Sequence, residues 1–118
     1  MEIPKELLKG SLKSIVMKLL SEKDRMYGYE ITRTIETLSE GKIKLTFGAL
    51  YPILHKLEND GHVQTEKEIV NNRTRVYYKL TETGINTARE KVNELEEFIN
   101  TISILMGPKP ALNYAGIK

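Results

Sequence analysis

The last third of the chain carries one long helical pattern. Ile85, Ala88, Val92, Leu95, Ile99, Ile102 and Met106 recur at alternating steps of three and four. Such steps average close to the 3.5-residue period of a seam between two supercoiled helices. The spacing predicts a helix from Thr81, a suitable N-cap, to Met106, roughly 38 Å long at 1.5 Å per residue. A chain of 118 residues does not need a helix of that length to close its own core. Those residues, with Phe98, are therefore assigned to the interface of a homodimer. The broad apolar stripe of the first helix is expected to contribute as well. Gly107-Pro108 ends the long helix, and 107–118, with Pro110 and Tyr114, is left as a tail.

Upstream, residues 1–80 read as one small domain. Pro4 to Ser21 predicts a first helix whose apolar side is Leu8, Leu12, Ile15, Val16, Leu19 and Leu20. Tyr27 to Leu38 predicts a second, with Ile31, Ile35 and Leu38 inward and Gly41 after its end. Thr46 to Asp60 predicts a third, capped by Thr46, with Leu50, Ile53, Leu54 and Leu57 buried and Gly61 beyond it. Pro52 falls deep inside that pattern and is expected to distort the helix start or move it. His62 to Leu80 predicts a β-hairpin. An Asn71-Asn72 turn, which tolerates positive φ, sets Val63 opposite Leu80, Thr65 opposite Tyr78 and Glu68 opposite Arg75. Glu66, Glu68, Arg73, Arg75 and Tyr77 then share the outer face, with a cross-strand Glu68–Arg75 pair as the simplest reading of that arginine. The fold class is mainly α with a small β-hairpin: three helices and a hairpin make a winged helix-turn-helix, and 81–106 adds the dimerisation helix.

Composition excludes several functions. Without cysteine there is no disulfide framework, thiolate metal site or cysteine nucleophile. His55 and His62 stand seven positions apart with no ligand partners in view, so no metal is expected. Phosphate-loop and nucleophile-elbow patterns are absent, so neither an enzyme nor a cofactor is expected. No apolar run reaches the roughly 20 residues of a membrane span, and the first residues, with an early acid, lack the apolar core of a signal peptide. A cytoplasmic protein with no membrane partner is expected.

Charge points to nucleic acid. The net charge is only +2, but it hides two acid-free basic segments. Gly41 to Leu57 holds Lys42, Lys44 and Lys56; Asn71 to Lys79 holds Arg73, Arg75 and Lys79. In a winged helix-turn-helix the third helix would enter the major groove, touching bases through its N-terminal residues. With its apolar stripe inward, Thr46, Phe47, Ala49, Tyr51, His55 and Lys56 face out. Thr46 and Ala49 suit a thymine methyl, whereas Tyr51, His55, Lys42 and Lys44 suit phosphates. No Arg, Asn or Gln lies on that face, so shape or the wing, through Asn72, Arg73 and Arg75, must supply part of any specificity.

Four segments together resemble the PadR family of transcriptional regulators: Tyr27-Gly28-Tyr29-Glu30-Ile31, Gly48-Ala49-Leu50-Tyr51-Pro52, Leu57-Glu58-Asn59-Asp60-Gly61, and Arg75 to Gly84. The likeness runs over residues 4–106. It implies a winged-helix dimer joined through the C-terminal helix, which binds double-stranded DNA and represses nearby promoters; if that dimer is two-fold, its operator is expected to be an inverted repeat. It also implies that Tyr51 lies on the DNA-facing helix. The Tyr27-Gly28-Tyr29 segment, with Tyr29, opens the second helix, where backbone N–H groups suit a phosphate. Ala49 departs from the threonine common in the family and removes a hydroxyl at a contact position. The short C-terminal region resembles the smaller subfamily, some of whose members hold flat apolar compounds between the long helices. Here Val92, Leu95 and Phe98 are the candidate effector pocket, with no tryptophan to help them; a closed seam is the competing reading. A winged-helix module that binds protein instead of DNA is the alternative function.

Overall fold

The protein is described by a computed structural model covering residues 1–107. The expectations for Pro110 and Tyr114 lie outside the described residues. The order is α1 (Lys5–Leu8), α2 (Leu12–Glu22), β1 (Met26–Tyr27), α3 (Gly28–Leu38), α4 (Phe47–Asn59), β2 (Val63–Val70), β3 (Arg73–Leu80) and α5 (Glu82–Met106). The helices and hairpin form a winged helix-turn-helix, and α5 is the long C-terminal helix expected from its spacing.

The first helix is not continuous. Glycine inside a helix costs about 1 kcal/mol relative to alanine, and at Gly10 the chain breaks into α1 and α2. The break closes with a tighter bond from Ser11 N–H to the Leu8 carbonyl, 2.8 Å. α1 buries nothing of its own, but Ile3 N–H donates to the Lys42 carbonyl at 2.8 Å. The N-terminus is thereby tied to the loop that leads into α4. On α2 the fully buried residues include Met17, which the apolar stripe had left out.

One strand escaped the periodic reading. Met26 and Tyr27 pair with Tyr78 and Tyr77, giving a three-stranded antiparallel sheet in the order β1-β3-β2. The hairpin keeps its expected register, Val63 to Leu80 through Glu68 to Arg75. Asn71 and Asn72 both have positive φ, 52° and 63°, the geometry of a two-residue hairpin turn.

The core gathers Val16, Met17 and Leu20 of α2, Met26 of β1, Ile31 and Ile35 of α3, and Leu50, Leu54 and Leu57 of α4. Val63, Tyr78 and Leu80 of the sheet close it. Leu38, expected inward, is 71% exposed because α3 ends there and the chain turns away. Pro52 stays inside α4 without moving its start, which remains at Phe47.

α5 is locked to the hairpin base. Thr81 Oγ1 accepts from Gly84 N–H at 3.0 Å and donates to the Gly61 carbonyl at 2.6 Å. Ala88, assigned to the dimer seam by spacing, is buried in the subunit's own core, where α5 packs on α2. A short side chain there lets two helices approach, and leaves nothing for a partner to touch. Gly84 fits against the backbone so closely that an added Cβ would stand 1.9 Å from the His62 carbonyl oxygen.

That contact makes a stability prediction. Gly84→Ala should destabilise the fold by about 1–3 kcal/mol through overpacking against rigid backbone. Gly10→Ala meets open space and should stay within about 0.5 kcal/mol. Urea unfolding of both variants beside the wild type reads the difference; equal midpoints would refute the close approach.

Candidate nucleic-acid interface

α4 presents two opposite sides because its leucines leave it no other rotation. Leu50, Leu54 and Leu57 are fully buried, while Phe47, Ala49, Tyr51, His55 and Lys56 are exposed. Thr46, also exposed, caps the helix: its Oγ1 accepts from Ala49 N–H at 3.2 Å. Steps of four along the outer side build an aromatic row. Phe47 and Tyr51 have ring centroids 5.7 Å apart, and Tyr51 and His55 stack at 6.1 Å. Lys56 lies off this row and pairs with Asp60 at 3.3 Å.

Tyr51 reaches the start of α3. A Cβ on Gly28 would lie 3.1 Å from the Tyr51 hydroxyl, so the glycine gives the phenol its place. The Tyr51 hydroxyl and the first turn of α3 thus meet at one point, with Tyr29 exposed beside them. Buried Tyr78 lies close by. Burial, foremost, and the neighbouring Tyr51 and Glu58 push its phenol pKa above the ordinary value, so it stays neutral.

The wing supplies the facing wall. A groove of about 620 Å³ is lined by Tyr29, Phe47 and Tyr51 on one side and by Asn71, Arg73 and Arg75 on the other. Arg73 is exposed at the tip, next to Asn72 in the turn. Arg75 does not pair with Glu68, contrary to the simplest expectation, because Glu68 is taken by Arg25. Arg75 Nη1 instead donates to the Tyr77 hydroxyl at 3.3 Å, and its guanidinium lies 4.1 Å from the centre of the Tyr27 ring. Its pKa is raised, first by that hydrogen bond.

Not every expected residue joins this groove. Thr46, Ala49 and Lys44 border a second, mostly apolar cavity of about 340 Å³, under Leu8 and Leu12. Lys42 and Lys44 are exposed because Ile43 and Leu45, which alternate with them, pack on the core. Ser39 Oγ holds that loop by accepting from Ile43 N–H at 3.0 Å.

On α5, Val92 and Leu95 are half-buried, whereas Phe98, Ile99, Ile102 and Met106 are exposed. Ile85 is exposed too, but near the sheet. Leu95 and Phe98, with Leu7, line a cavity of about 460 Å³ between α1–α2 and α5; Val92 is not part of it. Sequence reading placed Tyr77 on the outer face but missed Arg25 and Tyr27 beside it. The alternation through Arg25-Met26-Tyr27 was their only signal, and it is too short to read as a strand.

No helix among the described residues is long and apolar enough to cross a membrane. A model of the transcriptional regulator PadR-like family matches residues 16–90. A transcriptional regulator of Mycobacterium tuberculosis is 34% identical over 67 residues, covering 57% of this chain and 63% of that protein. Among solved structures, a transcriptional regulator from Clostridium thermocellum has a TM-score of 0.74 at 27% identity, covering 82% of this chain and 94% of that one. A PadR family transcriptional regulator from Eggerthella lenta has a TM-score of 0.70 at 26% identity, covering 88% of each chain. With most of its length matched by the family and its winged-helix fold shared with these regulators, the chain belongs to the PadR-like family of transcriptional regulators and is not an enzyme.

Proposed function

We propose that the chain is a homodimeric, sequence-specific DNA-binding repressor. Residues 1–80 read the operator, and the helix of 81–106 joins the two copies. One observation carries the reading: Phe47 and Tyr51 of α4 and the arginines of the wing open onto the same groove. In this reading α4 enters the major groove. The duplex backbone runs between Tyr51 and Arg73, with the first turn of α3 adding N–H donors beside Tyr29. Lys42, Lys44 and His55 take flanking phosphates, and Thr46 and Ala49 meet bases.

The dimer rests on the far end of α5. Phe98, Ile99, Ile102, Leu105 and Met106 are 38–73% exposed, a larger apolar row than a lone soluble subunit usually leaves uncovered. An effector site is placed at the cavity beside Leu95 and Phe98, which Glu6, Lys91 and Glu94 also line, where a bound small molecule would shift α5 and relieve repression.

Three outcomes test this. Binding to a promoter duplex should weaken with salt by about 0.9 log units per log salt for each phosphate contact. Tyr51→Ala with Arg73→Ala should lower affinity and take about 1 from that slope. A chain that binds a protein partner but no duplex at low salt would favour the interaction-module alternative.

Gly28→Ala should push the Tyr51 hydroxyl aside. Affinity should fall while folding stability stays within about 0.5 kcal/mol; unchanged affinity would remove Tyr51 from the interface.

Ile99→Glu with Ile102→Glu should give monomers by sedimentation, since both charges would enter the seam. Both side chains are exposed in the subunit, so its fold should survive. A dimer that persists moves the interface elsewhere.

A further inference from the structure

The wing carries acids as well as bases. Glu66 and Glu68 sit on the outward face of β2, with Glu68 directly across the ladder from Arg75. A carboxylate in that place would ordinarily claim the arginine and bring negative charge toward a phosphate backbone. Here Arg25, from the turn before β1, reaches across β3 and takes both acids. One arm of its guanidinium donates to Glu66 at 3.1 Å and the other to Glu68. The guanidinium carbon lies over Tyr77, 3.8 Å from the ring centre, and Tyr77 meets Tyr27 edge to face at 5.5 Å. One side chain thus crosses all three strands.

The turn that carries Arg25 is itself anchored. Lys23 pairs with Glu30 of α3 at 2.7 Å, and Asp24 with Lys79 of β3 at 3.4 Å. The turn on which Arg25 sits is thus tied to α3 on one side and to β3 on the other. Arg75, released from Glu68, turns over Tyr27 and lines the groove beside Tyr51.

We propose that Arg25 is a positioning residue for DNA binding: it draws Glu66 and Glu68 back over Tyr77, leaving Arg73 and Arg75 available to phosphate. This rests on the DNA-binding reading above. Arg25 touches no DNA in this scheme. Its effect passes through two carboxylates and can be cancelled by removing them.

The test uses the full chain and a fluorescein-labelled duplex that the wild-type chain has enriched from a random pool, read by anisotropy over a salt series. Arg25→Gln should weaken binding about tenfold at fixed salt, the effect of misplaced like charge at an interface. Arg25→Gln/Glu66→Gln/Glu68→Gln should return to within about threefold of wild type, the non-additivity of contacting residues. The salt slope of Arg25→Gln should fall by up to about 0.9, as Glu68 claims Arg75 from its phosphate, and should return in the triple variant. Wild-type affinity for Arg25→Gln overturns the proposal. A slope lowered by about 0.9 without rescue also overturns it, making Arg25 itself a phosphate contact. Should Arg25→Gln lose its far-ultraviolet circular dichroism, the triple variant decides: binding near wild type supports the proposal, and a tenfold loss refutes it. A wild-type chain that enriches no duplex removes the DNA-binding reading, and this proposal with it.

Discussion

A helix has one free rotation about its axis, and in α4 three leucines use it up. Leu50, Leu54 and Leu57 are fully buried, each worth about 1.5–3 kcal/mol over an exposed position. Turning the helix to bury any other stripe would forfeit that energy. Everything on the opposite side follows: Phe47, Tyr51 and His55 are carried outward as a row because they stand four apart. The reading face is thus a by-product of core packing. Its aromatic character, however, comes from no need of the core.

The helix accepts a local penalty to present that face. Pro52 has no N–H, and its ring crowds the carbonyl four residues back, that of Gly48. Deep in a helix this costs about 3 kcal/mol. Both residues are exposed, so water can serve the carbonyl that proline leaves unpaired. The expected shift of the helix start does not occur, because Thr46 caps Ala49 from outside and Leu50 is committed to the core. With Leu54 and Leu57 buried beyond the proline, the helix is anchored on both sides of the defect.

What could be read from the sequence divides along the same physical line. The stripes of α4 and α5, the Thr46 and Thr81 caps and the hairpin register were legible, since each rests on periodicity or on a turn that admits few alternatives. Asn71-Asn72 pins the ladder, and one misplaced residue would have turned every side chain to the wrong face. The illegible features depend on contacts between distant segments. β1 has two residues and no period of its own; it exists because β3 offers an edge. Leu38 matches its stripe but stands where α3 ends. Arg75 opposite Glu68 looks like an ion pair until Arg25, 43 residues from Glu68, arrives to claim the acid. Ala88 keeps the seam's spacing yet belongs to the subunit, because the first turns of α5 pack on α2 before the helix runs free.

That change of role along α5 separates two tasks in one element. Near Gly84 and Ala88 the helix is part of the domain, fixed by the His62 carbonyl and by the packing on α2. Beyond Leu95 it carries apolar residues that the subunit itself does not cover. In the proposed dimer the first part transmits the position of the wing and α4, and the second sets how far apart two such units stand. Half-sites one turn of the duplex apart require roughly 34–36 Å between reading helices. Since the joint lies at one end of a rigid rod and the reading face at the other, a small change in crossing angle at Phe98 is magnified at the DNA. In the proposed dimer the cavity beside Leu95 and Phe98 would lie near that joint, where a bound small molecule would act on the crossing angle.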